Sequence, residues 1–234
     1  MDVTNYRIRS DKPVSARISV ASDIHGCETD EILKKLAESK PDMIAVPGDL
    51  AGGNDVPDRS AEFLREAAKI APVFFSIGNH ERKRCFDCGK AAASGAVVLD
   101  DAYTVSGDFA VGGLSSGFGR TGQSNFKETP PPDVSWLDDF CALGNYKILL
   151  SHHPEYYERY LKNRRIDLIL SGHAHGGQWR FFGIGVFAPG QGLFPKYTSG
   201  IYDGKLIVSR GLCNHSFVPR LFNHTELINV DINK

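Results

Sequence analysis

The sequence predicts an α/β fold with a largely parallel sheet, and three observations predict it. Short apolar runs alternate with helical periodicity from Arg17 to Ile77, short strand-like runs dominate from Val97 onward, and Asp, Asn or His follow the strands. In an open α/β sheet the ligand lies beyond the carboxyl ends of the strands. The chemistry is therefore expected just after each strand.

Arg17 to Ser22 reads as the first core strand, and Glu31 to Ser39 as a helix with Ile32, Leu33 and Leu36 on one face. Met43 to Val46 is the next strand. Ser60 to Ile70 is a second helix, with Phe63, Leu64, Ala67 and Ala68 at helical spacing, and Pro72 stops it before the strand Val73 to Ile77. Later strands are read at Phe109 to Leu114, Lys147 to Leu150, Asp167 to Leu170, Lys205 to Val208 and Leu227 to Val230. The stretch from Ser115 to Val134, rich in Gly, Ser, Thr and Pro, is too long for an ordinary connection and reads as a lid or binding loop.

Composition narrows the function. The 234 residues are long enough for one substantial core, and a single domain over 1–234 is expected. Apolar residues make up 41% and charged residues 24%, as in an ordinary globular protein. Lys and Arg number 27 against 28 Asp and Glu, so no broad basic field exists for nucleic acid, and no specific nucleic-acid binding is expected. Any phosphate recognition must therefore be local.

The strand ends supply the means. Asp23-Ile24-His25 follows the first core strand, Gly48-Asp49 the second and Gly78-Asn79-His80-Glu81 the third. Ser151-His152-His153 and Gly172-His173-Ala174-His175-Gly176-Gly177 follow two later ones, so five strand ends deliver polar side chains to one edge of the sheet. Six of the eight His lie in these motifs. One His at a strand end is ordinarily a hydrogen-bonded surface or core residue. Clustered with carboxylates at successive strand ends, such residues have no packing rationale, and burying them without a cation is costly. Imidazole and carboxylate without thiolate suit Mn, Fe, Zn or Ni.

In their order, D-x-H, G-D, G-N-H, a lone His and G-H-x-H, these motifs resemble the calcineurin-like metallophosphoesterase superfamily over nearly the whole chain. The segments Ile148 to Pro154 (ILLSHHP), Ser171 to Gln178 (SGHAHGGQ) and Tyr202 to Leu212 look like its bacterial phosphodiesterase-like branch, whose members are often membrane-anchored. The resemblance implies a four-layer α-β-β-α sandwich with two mixed sheets. It also implies two divalent metal ions, one held by Asp23, His25, Asp49 and His175, the other by Asp49, Asn79, His152 and His173. Asp49 would bridge them, His153 would sit behind the ligands or on the substrate side, and a bridging hydroxide would attack phosphorus in line. Asn79 would steady the phosphoryl oxygens and His80 would protonate the leaving group.

Two rival functions are weighed. A protein Ser/Thr or dinucleoside-polyphosphate phosphatase shares DIHGC and GNHER, but Leu50-Ala51-Gly52-Gly53 follow Asp49 where an arginine motif is expected, and Asp58-Arg59 come too late. A non-catalytic scaffold of this fold would have lost ligands, and none is missing. Substrate candidates are a cyclic or model phosphodiester, a nucleotide, a phospholipid or lipid-linked diphosphate, and a cell-wall phosphodiester. No motif separates these, and none bears on oligomeric state.

The remaining signals take plainer readings. Arg82, Lys83 and Arg84 are expected to form a solvated basic face rather than a phosphate clamp, and Cys85 and Cys88 are read as inert thiols because no second C-x-x-C completes a zinc site. Cys27 is read as packed, and His215 and His224 as surface or hydrogen-bonded residues. Five Cys without a disulfide pattern and a polar start point to cytoplasm. Against that, Val3 to Ser10 looks like the segment after an N-terminal membrane helix in anchored relatives. The alternative expectation is peripheral membrane association, with an anchor preceding Met1 in the natural protein.

Overall fold

Strands apolar along their whole length need cover on both faces, and this requirement organises the architecture. The computed structural model describes residues 1–52, 59–84, 86–119, 128–214 and 218–234, apart from the side chain of Arg84. Strands and helices are numbered in chain order. The first sheet runs β1 (Asp2–Arg9), β16 (Glu226–Asn233), β2 (Ala16–Val20), β3 (Met43–Pro47), β4 (Val73–Ser76) and β5 (Ala96–Leu99). The second runs β14 (Gly200–Tyr202), β15 (Leu206–Val208), β9 (Leu168–Ser171), β8 (Tyr146–Ser151), β7 (Phe109–Leu114) and β6 (Ala102–Ser106). Parallel ladders join β2 to β5 and β7 to β9 with β15, while β16–β2, β6–β7 and β14–β15 are antiparallel, so both sheets are mixed.

Alternation along the strands builds the layers. Met43, Ala45 and Phe74 of the first sheet meet Ile148, Leu150, Leu168 and Leu170 of the second in one inter-sheet core. Their neighbours Ile44, Val46, Val73 and Phe75 face the other way, onto α1 (Asp30–Ser39), α2 (Arg59–Ala68) and α4 (Cys88–Ala93). Leu149 and Ile169 likewise leave the inter-sheet core for α5 (Leu137–Ala142) and the single π-helical turn Tyr157–Leu161. The result is the four-layer α-β-β-α sandwich with two mixed sheets.

The helices obey local rules. Ile32 and Leu36 of α1 are buried, Asp30 and Glu31 sit in its first turn where the macrodipole favours negative charge, and Lys40 ends it in the left-handed region at φ 49°. The carboxylate of Asp87 caps α4 by accepting from the Lys90 amide. Lys147 lies within otherwise apolar β8, and its Nζ escapes by donating to the carbonyls of Leu143 and Asn145.

Several elements differ from the sequence reading. The donor-bearing strand ends belong to two facing sheets rather than one, because β8 and β9 pack across from β2, β3 and β4. Helix α3 (Asn79–Arg84) occupies what reads as a motif and a charge run. Strand β1 alternates Thr4, Tyr6 and Ile8 inward at a sheet edge, too polar to stand out as a core strand. The last strand extends to Asn233 because its polar end pairs with both β1 and β2. Two short ladders, β10 (Arg180–Phe181) with β11 (Ile184–Gly185) and β12 (Phe187–Ala188) with β13 (Gly192–Leu193), follow the last His motif.

The two sheets pass close together at Gly113 of β7, where a Cβ would lie 2.4 Å from the Leu99 carbonyl oxygen and 3.0 Å from Ser76 Cβ. Backbone on one side and a strand on the other leave no room to yield. Gly113→Ala is expected to cost about 1–3 kcal/mol through overpacking, read as a lower urea midpoint with an unchanged m-value.

Candidate metal centre

The turns after β2, β3 and β9 place their donors by an unusual backbone. Asp23, His25, Asp49, His173 and His175 all have positive φ, between 46° and 65°. Left-handed conformations in non-glycine residues cost on the order of 1–3 kcal/mol each and persist only where surroundings impose them. Hydrogen bonds across the strand ends do so here: the His25 amide donates to Asp49 O, that of Gly26 to Leu50 O, and that of Gly172 to His152 O. The His173 amide donates to the Asp23 carboxylate at 3.0 Å, tying the second sheet to the first.

Two motif glycines are there for close approach. A Cβ on Gly78 would stand 2.3 Å from Asp49 Oδ1, and one on Gly172 would stand 1.9 Å from Ser22 Oγ and 2.3 Å from Asp23 Oδ2. Only a bare Cα lets these turns meet the carboxylates.

All eight predicted site residues converge. Asp49 is central: its Oδ2 lies 3.1 Å from His152 Nε2 and 3.9 Å from both His25 Nε2 and His80 Nε2, while its Oδ1 accepts from the His80 amide at 2.9 Å. On one side His175 Nε2 is 3.3 Å from Asp23 Oδ1 and 3.2 Å from His25 Nε2. On the other, His152 and His173 face Asp49. Asp23–His25–His175 and Asp49–His152–His173 thus form two donor groups of metal-binding dimensions, and His25–Asp49–His80 joins them.

The protonation states suit a cation. Burial would raise Asp23 and Asp49, but the histidines facing them hold both carboxyls below the usual range. Burial pushes His25 down to about 3 and holds His173 and His153 well below the ordinary histidine range. His152 goes the other way: burial would lower it, but the facing Asp49 carboxylate raises it to about 10. Its Nδ1 lies 2.8 Å from the Pro47 carbonyl, which can only accept, so Nε2 is left pointing at a carboxylate oxygen. A proton or a metal ion fits that gap. Asn79 Oδ1, His152 Nε2 and His173 Nε2 are all buried without a hydrogen-bond partner among the described residues, which is the state of donors shaped for a cation.

Sequence reasoning missed two supporting residues. Buried Glu81 accepts from the amides of Gly78, Asp49 and Ala51 at 2.8–2.9 Å, clamping the second strand-end turn to the third. Burial, reinforced by the Asp49 charge, pushes its carboxyl up to about 7, against the pull of those amides. It stands within the GNHE motif, but its role needs the partner turn. Arg220 Nη2 is 3.1 Å from His175 Nδ1 and also donates to Cys213 O. No sequence signal marks it.

Other residues fall as follows. His153 is fully buried beside the centre, with Nε2 2.8 Å from Ser116 Oγ and Nδ1 3.4 Å from Glu155. Arg82 pairs with Asp100 and Asp101, whereas Lys83 Nζ stands 4.5 Å over the Phe118 ring. Exposed His224 lies 3.4 Å from Asp2. Cys85, Asp58, His215 and the middle of the Ser115–Val134 stretch lie outside the described residues; Cys27 and Cys88 are half-buried free thiols. Among the described residues no helix is long and apolar enough to cross a membrane.

Comparison with known proteins agrees with this geometry. The profile of the calcineurin-like phosphoesterase family matches residues 16–177, which contain every donor named above. The chain belongs to the calcineurin-like phosphoesterase family. This phosphoesterase is 28% identical to an uncharacterized metallophosphoesterase of Aquifex aeolicus, over 98% of its own length and 91% of the relative's. It is 29% identical to the phosphodiesterase YaeI of Escherichia coli, over 70% of this chain and 59% of that protein. Among solved structures, TT1561 of Thermus thermophilus is similar with a TM-score of 0.52 at 18% identity, covering 68% of this chain and 82% of that one, a likeness of fold. The family makes the phosphoesterase a hydrolase of phosphate esters, and its His and Asp clusters suit divalent metal.

Glu81→Gln exchanges one accepting oxygen for an NH2 group that must face amide donors. A loss of about 2–3 kcal/mol is expected, together with weaker metal retention, measured by thermal unfolding and by elemental analysis after dialysis.

Proposed function

We propose that this chain is a dinuclear, metal-dependent phosphodiesterase. The observation that carries the reading is Asp49, whose Oδ2 lies 3.1 Å from His152 of one donor group and 3.9 Å from His25 of the other. Asp23, His25, Asp49 and His175 would hold one divalent ion, and Asp49, Asn79, His152 and His173 the other. A donor set of imidazole and carboxylate without thiolate fits Mn, Fe, Zn or Ni. Cations bound there would supply Lewis-acid charge against phosphoryl oxygens and lower the pKa of a water towards about 7.

The chain's own groups do the rest. Asn79 would hold a metal through Oδ1 and turn its amide nitrogen toward a phosphoryl oxygen, with the donor groups placed for in-line displacement of the departing oxygen. His80 is partly exposed at the cavity, its backbone held by Asp49 Oδ1, so its ring can reach the leaving group and give it a proton. His153, tied to Ser116 behind His152, positions rather than reacts. The diester preference is supported by the name of the relative YaeI and by the wide cavity over the centre.

Asp49→Asn is expected to lower both metal occupancy and turnover, because one change weakens both donor groups. Elemental analysis after reconstitution with Mn, Fe, Zn or Ni, paired with bis(4-nitrophenyl) phosphate hydrolysis, measures both. Two ions per chain are expected in the wild type, and no metal together with no activity would overturn the reading.

His80 is as near Asp49 Oδ2 as His25 is, so its role needs its own test. As the acid, His80→Ala keeps its metal and loses turnover by about 10²–10⁴-fold on poor leaving groups, and less on activated esters. Loss of both metals would make it a ligand, and an equal loss on both kinds of ester would take the acid role from it.

A further inference from the structure

A cavity of about 600 Å³ opens over the centre, and its two sides differ in chemistry. Its floor holds His25, Asp49, Asn79 and His80; its wall is Phe118, Trp179, Val186, Phe187, Leu193 and Val218. The wall is fixed in place. Trp179 Nε1 donates to Pro219 O at 3.0 Å, the Val186 amide to Trp179 O, and the Phe194 amide to Val186 O. Among the lining residues Lys83 alone carries a full positive charge, beside Phe118.

The segments that carry this wall also hold exposed apolar side chains next to it in the chain. Phe182, at the turn between β10 and β11, is 105% exposed, while Phe194 and Phe222 are 73% and 72% exposed. Isolated exposed apolar residues are ordinary, but these are joined. The rings of Phe181 and Phe222 meet at 6.0 Å, Trp179 bridges to Leu221, and Leu193 continues from the wall to the exposed Phe194.

Resting on the phosphodiesterase reading, we propose that the substrate is an amphiphilic phosphate ester taken from a lipid surface. Its phosphate lies on the Asp49 floor, its hydrocarbon chain lies along the Trp179–Leu193 wall, and Phe182, Phe194 and Phe222 seat in the lipid. The occupant follows from the position of the patch. The cavity wall runs directly into this patch through Leu193 to Phe194 and through Trp179 to Leu221, so a lipid surface seated on the patch meets the wall that would take the hydrocarbon chain, which a protein partner or second copy would not supply. A nucleotide or polyanion would need cations along the wall, where the side chains are apolar. With a formal net charge of -1 the chain lacks a basic field, so attachment is by apolar burial and is insensitive to salt.

Two binding measurements on the full chain test this without turnover. In flotation with phosphatidylcholine vesicles, the wild type is expected to bind equally at low and high salt, and Phe182→Ser with Phe194→Ser and Phe222→Ser to bind about tenfold less while keeping its circular dichroism. No flotation, or binding only to vesicles containing phosphatidylglycerol that high salt abolishes, would overturn the lipid-surface assignment. For the wall, Trp136→Phe leaves Trp179 as the sole tryptophan of two. Dodecylphosphocholine below its micelle threshold is expected to blue-shift that emission at concentrations at least tenfold lower than phosphocholine, and Leu193→Asp to abolish the difference. Equal responses to the two ligands would overturn the chain site. Hydrolysis of bis(4-nitrophenyl) phosphate reports the phosphodiesterase reading separately: protein inactive on it that still floats and still prefers dodecylphosphocholine loses that reading and keeps the amphiphile as its ligand.

Discussion

The Asp49 carboxylate is the point about which the rest of this sheet edge is arranged. It is buried, it stays charged, and it faces three imidazoles while its own amide and that of Ala51 are taken up by Glu81. A buried anion is expensive unless nearby charge and hydrogen bonds compensate it. The turns after β2, β3, β4, β8 and β9 bring that compensation from two sheets. The inter-sheet core sets the distance between the donor groups, because β3 and β4 pack directly against β8 and β9.

Local geometry at the centre is costly in itself, and the surrounding fold absorbs the cost. Five of the polar residues adopt left-handed backbone, and the close passages at Gly78 and Gly172 leave no room for a side chain. Such turns do not form alone. Amide-to-carbonyl bonds between strand ends, and the amide of His173 on Asp23, convert three separate strained turns into one mutually supporting unit. The buried, unpartnered atoms of Asn79, His152 and His173 are the part of that unit left for a ligand.

The cavity above the centre joins two physical environments. Its floor concentrates carboxylate, amide and imidazole, and its wall is aliphatic and aromatic, so a molecule that satisfies both is polar at one end only. Trp179, Val186, Phe187 and Leu193 of the wall follow His175 within a few turns of chain, so the last donor motif and most of the apolar wall belong to one continuous segment. Arg220 ties that segment to the C-terminal part of the protein by bonding to His175 and to the carbonyls of Arg210 and Cys213.

Much of this was legible in the residues. Apolar runs of strand length alternating with helical spacing specified the core of the first sheet, because period 2 and period 3.6 are properties of local backbone geometry. The donor residues were legible because a metal centre needs particular side chains directly after particular strands. Strand β1, helix α3 and the short ladders were not, since edge strands and single turns bury too little to leave a periodic pattern. Glu81 and Arg220 gained their meaning only from partners that folding brings to them, the Asp49 turn 32 residues earlier and His175 45 residues earlier. That the donors lie between two sheets, with Asp49 shared between two groups and an apolar wall beside them, was decided by tertiary packing alone: facing distances depend on how the inter-sheet core fills, and no local run of sequence encodes that.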